Sequence, residues 1–210
     1  MDIATNDHLI RDIAALEALY GESSAGAIAK EIDYIHPHYR AMIEASPFMV
    51  LATAGPEGLD ASPRGDPPGS FVQVLDDRTL LIPDRRGNNR VDSLRNIIRD
   101  PRVALLVLIP GVGETLRVNG RASISVAPDL LGRFPFRDTL PRSVIVVEAE
   151  SVYFQCPKAL VRSELWNPAK QIDRKALPST GTILADITTG RVGGEAYDRE
   201  YPERLRTTLY

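Results

Sequence analysis

The sequence is most informative between residues 79 and 110, which read TLLIPDRRGNNRVDSLRNIIRDPRVALLVLIP. An apolar run at 79–82 leads into a polar loop, residues 83–90, that holds three arginines and two asparagines. Residues 91–98 then place apolar side chains at helical spacing, and residues 103–108 form a second apolar run of strand length. This order of strand, basic loop, short helix and strand indicates a β protein with one helix inserted between its hairpins.

The rest of the chain extends the β pattern in both directions. Short apolar or β-branched runs alternate with turns such as Ala54-Gly55-Pro56-Glu57-Gly58. An open parallel sheet would need a crossover helix between most strands, and the sequence supplies too few. We therefore predict a mainly β fold with flanking helices, built as a closed antiparallel barrel. The predicted strands cover residues 48–53, 59–64, 70–75, 79–82, 103–108, 115–126 and 143–154.

Helices are predicted mainly towards the two ends of the chain. Apolar residues recur at helical spacing in residues 7–20 and again in 24–43, where Pro37 should break or kink the helix. Residues 157–166 look helical, and a last helix is expected near 177–187. The chain thus divides into an N-terminal helical segment (1–46), a barrel domain (47–166) and a C-terminal helical extension (167–210).

The composition excludes several classes of protein. A formal net charge of −3 over 210 residues gives no general attraction to nucleic acid or to an anionic membrane. The longest apolar run, residues 103–110, is too short to cross a bilayer, and the acidic N-terminus is neither a signal nor a transit peptide. The single cysteine, Cys156, excludes an internal disulfide, and we expect it to be partly buried and unreactive. We therefore expect a cytoplasmic protein that binds neither nucleic acid nor membrane.

The polar loop at 83–90 carries the strongest chemical signal. It lies directly after a strand and directly before a helix, so guanidinium groups, amides and backbone N–H groups meet at a helix N-terminus. Such donors suit the oxygens of a phosphate monoester. The loop also fits a solvated turn in which Asp84 and Asp92 pair with the arginines at the surface.

Two further clusters give weaker signals. Arg64 lies in mid-strand and must reach a charged partner or water, while nearby prolines are typical of an edge strand or of one covered by a ligand. In the other cluster, Lys158 and Arg162 are four residues apart and share one face of the predicted helix. Trp166, the only tryptophan, either stacks on a flat ring or closes the core.

No arrangement of catalytic residues is recognisable. The three histidines, His8, His36 and His38, lie in the N-terminal part without a third ligand at metal-binding spacing, so we predict no metal site. Nucleophile elbows, Walker loops and dinucleotide-binding glycine motifs are missing from the sequence. Demanding chemistry would therefore come from a cofactor, and catalytic residues stay unassigned.

These pieces, in this order, resemble the pyridoxamine 5′-phosphate oxidase-like superfamily of split-barrel FMN proteins. The resemblance covers the predicted barrel domain and is clearest in Thr79–Asp84, in Asp100-Pro101-Arg102-Val103 and in Leu116–Ala122. Two stretches, residues 110–120 and 156–166, are similar to a subgroup known only as FMN-dependent enzymes of unknown substrate.

The resemblance implies an antiparallel split β-barrel that binds FMN at the interface of a homodimer. The family's flavin-lining strand falls on residues 62–64, its phosphate loop on 86–90 and its ring-contacting residue near Thr115. The family's compact Ser-Arg-Lys is replaced by Gly87-Asn88-Asn89-Arg90, and its C-terminal ring contacts are assigned to residues between 158 and 166. The residues expected to bind the cofactor are Ser62, Pro63, Arg64, Ile82, Pro83, Arg86, Asn88, Asn89, Arg90, Thr115, Lys158, Arg162, Ser163 and Trp166.

The implied activity is that of an FMN-dependent oxidoreductase that moves electrons or hydride between a nicotinamide nucleotide and a small acceptor molecule. FMN is expected rather than FAD because only one phosphate-binding loop is visible. Vitamin B6 oxidation is not expected, because the family's C-terminal Arg-x-His motif is missing. Three alternatives stay open: a non-catalytic flavin carrier or redox sensor, a deazaflavin-dependent reductase, and a haem-handling protein with an axial histidine from position 8, 36 or 38.

Overall fold

The computed structural model describes residues 8–136 and 139–209. The chain divides into two compact units, with the boundary between Glu31 and Ile32. Within the described ranges, no helix has both the length and the apolar character needed to cross a bilayer. The second unit holds the sheet and every residue that lines the candidate site.

Residues 8–31, the described part of the first unit, contain two short helices, α1 (Ile13–Tyr20) and α2 (Ala25–Ala29). The helix predicted at residues 7–20 starts later than expected, because Asp12 caps it. The Asp12 side chain accepts a hydrogen bond from the backbone N–H of Ala15 at 2.8 Å. Gly21, with a φ of 70°, ends the helix as the sequence predicts.

The second unit alternates strands with short helices, and Pro37 begins its first helix instead of kinking a longer one. Its elements in chain order are α3 (Pro37–Ala45), β1 (Phe48–Gly55), β2 (Gly58–Gly65), β3 (Gln73–Val74), β4 (Thr79–Asp84), α4 (Asp92–Arg99), β5 (Arg102–Leu108), β6 (Thr115–Ser125), α5 (Pro128–Leu131), β7 (Ser143–Gln155), α6 (Lys158–Ser163), 3-10 turns at Pro168–Lys170 and Arg174–Ala176, α7 (Thr180–Ile187) and α8 (Gly194–Thr208).

The seven strands form one antiparallel sheet in the order β2-β1-β5-β6-β7-β4-β3. The predicted mainly β, antiparallel fold with flanking helices is confirmed. The predicted closure of the barrel is not confirmed. β2 and β3 are the two edges of the sheet, and no ladder joins them in the described part of the chain. The edge position of β2 agrees with its prolines, which cannot donate to a neighbouring strand.

The main core is formed by the buried faces of the strands, with Ile43 of α3 and Ile97 of α4 packed against them, and most strands bury alternate residues. β4 differs, because Leu80, Leu81 and Ile82 are all completely buried. Leu80 and Ile82 belong to the main core, whereas Leu81 packs on the other face against Phe134 and Val144. Because β4 is held from both faces, its C-terminal end is a rigid support for the basic loop that follows it.

The Asp-Pro-Arg motif forms the junction between α4 and β5. The Asp100 carboxylate accepts hydrogen bonds from the backbone N–H of Arg102 at 3.1 Å and from its guanidinium Nη2 at 2.5 Å. The hydrogen bond from the Arg102 side chain is the main reason why the pKa of Asp100 falls to about 2. On the sheet side, Asn96 Nδ2 donates to Thr53 Oγ1 at 3.1 Å, and a Cβ on Gly55 would collide with Asn96. These contacts fix α4 against β1.

Three further local predictions were wrong. β3 has only two residues, because the preceding segment buries Phe71 in the core without joining a ladder. α8 was not predicted, because it has no buried residue to create an apolar stripe and contains Pro202. Cys156 is exposed instead of partly buried, since β7 ends one residue before it.

Candidate functional site

A cleft of about 620 Å³ opens where β4 leaves the sheet. Its walls are the edge strand β2, the end of β4, the loop between β4 and α4, the first turn of α4, and the chain that enters β7. The structure brings eight of the predicted cofactor residues to this cleft: Ser62, Pro63, Arg64, Pro83, Arg86, Asn88, Asn89 and Arg90. Residues from two separate hairpins and a loop therefore converge in one place.

Arg64 reaches the cleft from the middle of β2 and forms an ion pair with Asp84 at the end of β4. Arg64 Nη1 and Asp84 Oδ1 are 2.6 Å apart, and both side chains are more than four-fifths buried. The Arg64 Nε is also buried and has no acceptor among the described residues. The charged partner that the sequence requires of this mid-strand arginine is thus present, but one of its donors stays unsatisfied.

Arg85 is held in place by the surrounding protein. Its Nε lies 2.6 Å from Asp66 Oδ2, and its Nη1 donates to the backbone carbonyl of Phe134 at 2.8 Å. Its guanidinium also lies 5.9 Å from the centroid of the Phe136 ring. The remaining nitrogen, Nη2, is buried without an acceptor in the described structure. Arg85 therefore anchors the start of the loop.

The loop itself has an unusual backbone. Asn89 and Val91 have φ values of 59° and 51°, in the left-handed region, which is costly for a β-branched valine. The Asn88 side chain accepts a hydrogen bond from the backbone N–H of Arg90 at 3.0 Å. Val91 is the N-cap of α4 and provides no side-chain cap. The first N–H groups of this helix therefore border the cleft without the usual capping oxygen, which favours an anion there.

The charges around the cleft are largely paired. Arg90 Nε lies 2.8 Å from Asp92 Oδ2, and this hydrogen bond raises the pKa of Arg90 above its usual value. Arg86 is exposed and has no ion pair within residues 8–136 and 139–209. Arg142 donates to the neutral side chain of Asn89 at 3.0 Å. Among the described residues, no carboxylate forms an ion pair with Arg86 or Arg142.

Sequence reasoning missed several residues of the cleft. Arg142 is one, because its position depends on the pairing of Asp84 with Ser143 in the β4–β7 ladder, which the sequence does not specify. Asp60 is another, and its carboxylate accepts a hydrogen bond from Ser93 Oγ at 2.8 Å. The alternation of polar residues along β2 was a signal for Asp60, since it shares a face with Ser62 and Arg64.

The remaining predicted residues lie elsewhere in this chain. Ile82 is completely buried, and Thr115 is nearly so at the start of β6. Lys158, Arg162 and Ser163 are on α6, which follows the far end of the 13-residue strand β7. At about 3.3 Å per residue, that strand separates α6 from Ser143 by roughly 40 Å along its length.

Trp166 is half-buried and is fixed to the turn between β5 and β6. Its Nε1 donates to the carbonyl of Val112 at 2.8 Å. In the same region, a Cβ on Gly113 would lie 2.6 Å from Pro157, so the two segments are in close contact. These contacts give Trp166 a role in holding α6 to the sheet.

Comparisons with known proteins identify a family for this chain. A family model described as pyridoxamine 5′-phosphate oxidase matches residues 35–156, more than half of the chain. No curated protein sequence matches.

Solved structures with a similar chain were also found. HupZ from Group A Streptococcus is 15% identical, with 56% of this chain and 91% of that chain covered and a TM-score of 0.46. A candidate pyridoxamine 5′-phosphate oxidase from Lactobacillus delbrueckii is 20% identical, with 58% and 99% covered and a TM-score of 0.44. A pyridoxinephosphate oxidase family protein from Clostridium acetobutylicum is 11% identical, with 57% and 86% covered and a TM-score of 0.43. The assignment of this chain to a family rests on the match to the family model and not on these structures.

Proposed function

Because the chain belongs to the pyridoxamine 5′-phosphate oxidase family and has its split-barrel fold, we propose that it is a flavoprotein that binds FMN with the phosphate in the arginine-lined cleft. The observation that carries the proposal is a surplus of hydrogen-bond donors in one place. Arg64 Nε and Arg85 Nη2 lack acceptors, and the first turn of α4 is uncapped. A phosphate supplies three strong acceptor oxygens.

The residues present fit a phosphorylated ribityl chain. Arg86 and Arg142 provide two guanidinium groups for the dianion, and neither forms an ion pair with a described carboxylate. Asp60 and Asp84, already engaged with Ser93 and Arg64, offer acceptors that hydroxyl groups of a ribityl chain can satisfy. The cleft therefore offers donors for a phosphate next to acceptors for hydroxyl groups.

A homodimer is proposed because the outer surface of the sheet near the cleft is apolar. On β1, β2 and β5, the residues opposite to the core-facing ones are half-buried or exposed, and Arg102 at the start of β5 is the one charged residue among them. This outer apolar face comprises Phe48, Val50, Ala52, Ala54, Leu59, Ala61, Pro63, Ala104, Leu106 and Leu108. A continuous apolar patch over three paired strands is typical of a protein–protein interface, and a second copy of this chain would cover it symmetrically.

A dimer also gives a role to the predicted residues that lie far from the cleft. Lys158, Arg162, Ser163 and Trp166 cannot meet a flavin in the cleft of their own chain if they stay at the far end of β7. We assign them, with Thr115, to the flavin ring bound by the partner subunit. A cation at the pyrimidine edge of the ring would stabilise the negative charge of the reduced state.

The chemistry that FMN supplies when bound is transfer of electrons or hydride, here between a nicotinamide nucleotide and a small acceptor. The chain's own residues bind the phosphate, orient the ring and place a positive charge beside it. No described side chain is assigned as a catalytic acid or base.

The absorption spectrum and mass spectrum of the ligand released from the purified protein test this proposal. Flavin absorption and the mass of a phosphorylated flavin are expected. A deazaflavin mass or a Soret band would instead identify one of the two other cofactors. Reduction of the bound flavin by NADH or NADPH, followed by reoxidation by an acceptor, separates an oxidoreductase from a flavin carrier or redox sensor.

A further inference from the structure

A second cavity of about 280 Å³ adjoins the cleft on the other side of its arginines. It is lined by Arg85, Arg86, Phe136, Thr139, Leu140, Pro141 and Arg142. Arg85, Arg86 and Arg142 line both cavities, so the two spaces share one wall of guanidinium groups. A phosphate bound by Arg86 and Arg142 would therefore face the second cavity as well as the first.

The charges differ between the two cavities. Among residues 8–136 and 139–209, the lining of the cleft contains five arginines and four aspartates, whereas the lining of the second cavity contains three arginines and no acidic residue. Of these three, Arg85 is paired with Asp66, whereas Arg86 and Arg142 form no ion pair with a carboxylate in the described part of the chain. The most favourable place for an anion is thus the boundary between the cavities, where two phosphates could share the two arginines.

The rest of the second cavity suits a flat group. Phe136 is half-buried, and the guanidinium plane of Arg85 lies near its ring. Aromatic rings and guanidinium groups are the surfaces on which nucleobases stack. Leu140 and Pro141 add apolar surface. The lining therefore combines cations at the entrance with an aromatic and apolar interior.

From this arrangement we propose that the second cavity binds the nucleotide half of a dinucleotide flavin, so that the site accepts FAD as well as FMN. The inference rests on the proposed flavin site, because it places the flavin phosphate between Arg86 and Arg142. It also changes the expectation from the sequence, in which a single basic loop left no place for an AMP half. The cavity proposed for the AMP half is formed largely by the segment before β7, and that segment contains no phosphate-binding motif.

Titration of the flavin-free protein with FMN and FAD, followed by flavin fluorescence, tests the proposal. FAD should bind at least as tightly as FMN. Phe136→Ala should weaken FAD roughly five- to a hundredfold, the effect of losing one stacked base, and change FMN less than about twofold. Phe136→Tyr, which keeps a ring, should bind FAD like the unchanged protein. Tyr20→Ala removes an exposed aromatic residue of α1 and is the matched control.

The outcomes separate this inference from the proposed function. FAD binding that is tenfold weaker than FMN binding would overturn the inference and leave the flavin site standing. Equal binding of both flavins that Phe136→Ala does not alter would also overturn it, because the nucleotide would then lie in solvent. Failure of both flavins to bind to the unchanged protein would instead refute the proposed function itself.

Discussion

The arginines of this site fall into two groups that have different roles. Arg64 and Arg85 are more than four-fifths buried and bound to aspartates, whereas Arg86 and Arg142 are exposed. Removing one partner of a buried pair leaves an unpaired buried charge, so we expect these two arginines to have structural roles. Exposed arginines with no carboxylate partner are available to a ligand.

Arg142→Ala should weaken FMN roughly ten- to a hundredfold and leave riboflavin unchanged, because it removes one charge-assisted contact to the phosphate alone. Fluorescence titration of the flavin-free variant with both ligands measures the two affinities. Arg199→Ala, which removes an exposed arginine of α8, is the control. An equal loss for FMN and riboflavin would remove Arg142 from the phosphate site.

Arg64→Ala should destabilise the flavin-free protein by about 3 kcal/mol, because Asp84 would keep a largely buried charge without its partner. Urea unfolding gives the free energy. Arg40→Ala breaks an exposed pair with Glu44 and should cost less than about 0.5 kcal/mol. Similar costs for both variants would show that the Arg64–Asp84 pair is well solvated.

For single side chains, the sequence predicted that Arg64 needs a charged partner, but it did not predict which residue that partner is. β2 and β4 lie near opposite edges of the sheet, and only its curvature brings Arg64 and Asp84 together. Arg142 was missed for a similar reason, since its place follows from the β4–β7 register.

The two ends of α4 differ in how they are held by the surrounding protein. Its N-terminus borders the cleft, and the Asp100–Arg102 contact fixes the other end at the start of β5. Sequence reasoning located α4 within one residue, because its apolar face is regular. It could not locate α8, whose exposed surface gives no such pattern.

The carboxyl resonance of Asp100 should titrate with a pKa of about 2 in NMR spectra, below the usual value of 3.8. Because the pKa is lowered in the folded state, the contact contributes to stability above about pH 4 and is lost as the pH falls towards 2. In Arg102→Gln, the pKa should return towards 3.8. An unchanged titration in that variant would assign the low pKa to another cause.

Trp166→Phe should lower the stability of the flavin-free protein by about 1 kcal/mol, because it removes the hydrogen bond to Val112. Thermal unfolding without flavin measures this effect. Leu165→Ala, at an exposed neighbouring position, is the control. Unchanged stability in this variant would exclude Trp166 from the joint between α6 and the sheet, whatever its contact with the flavin ring.

The proposed function makes the whole molecule one half of a flavin-binding dimer. The sequence predicted the mainly β antiparallel architecture, because short apolar runs and turns are local features. It did not predict the open sheet, because closure depends on whether two distant edge strands meet. The outer apolar face became visible only when the register aligned three strands.

Leu106→Arg should give a monomer that has lost most of its flavin, because the substitution places a new charge within the outer apolar face in both copies. Sedimentation velocity and the ratio of flavin to protein absorbance measure the two effects. Val126→Arg changes an exposed apolar residue outside this face and should stay dimeric. A monomeric Leu106→Arg that keeps full flavin occupancy would show that the site does not need a partner.

The most direct test of the flavin site is the ratio of the dissociation constants of riboflavin and FMN for the unchanged, flavin-free protein. The two ligands share the ring and the ribityl chain and differ only in the phosphate. If Arg86, Arg142 and the first turn of α4 bind the phosphate, FMN should bind at least about tenfold more tightly at low ionic strength, and added salt should narrow the difference. Equal affinities for the two ligands would contradict the assignment of the cleft.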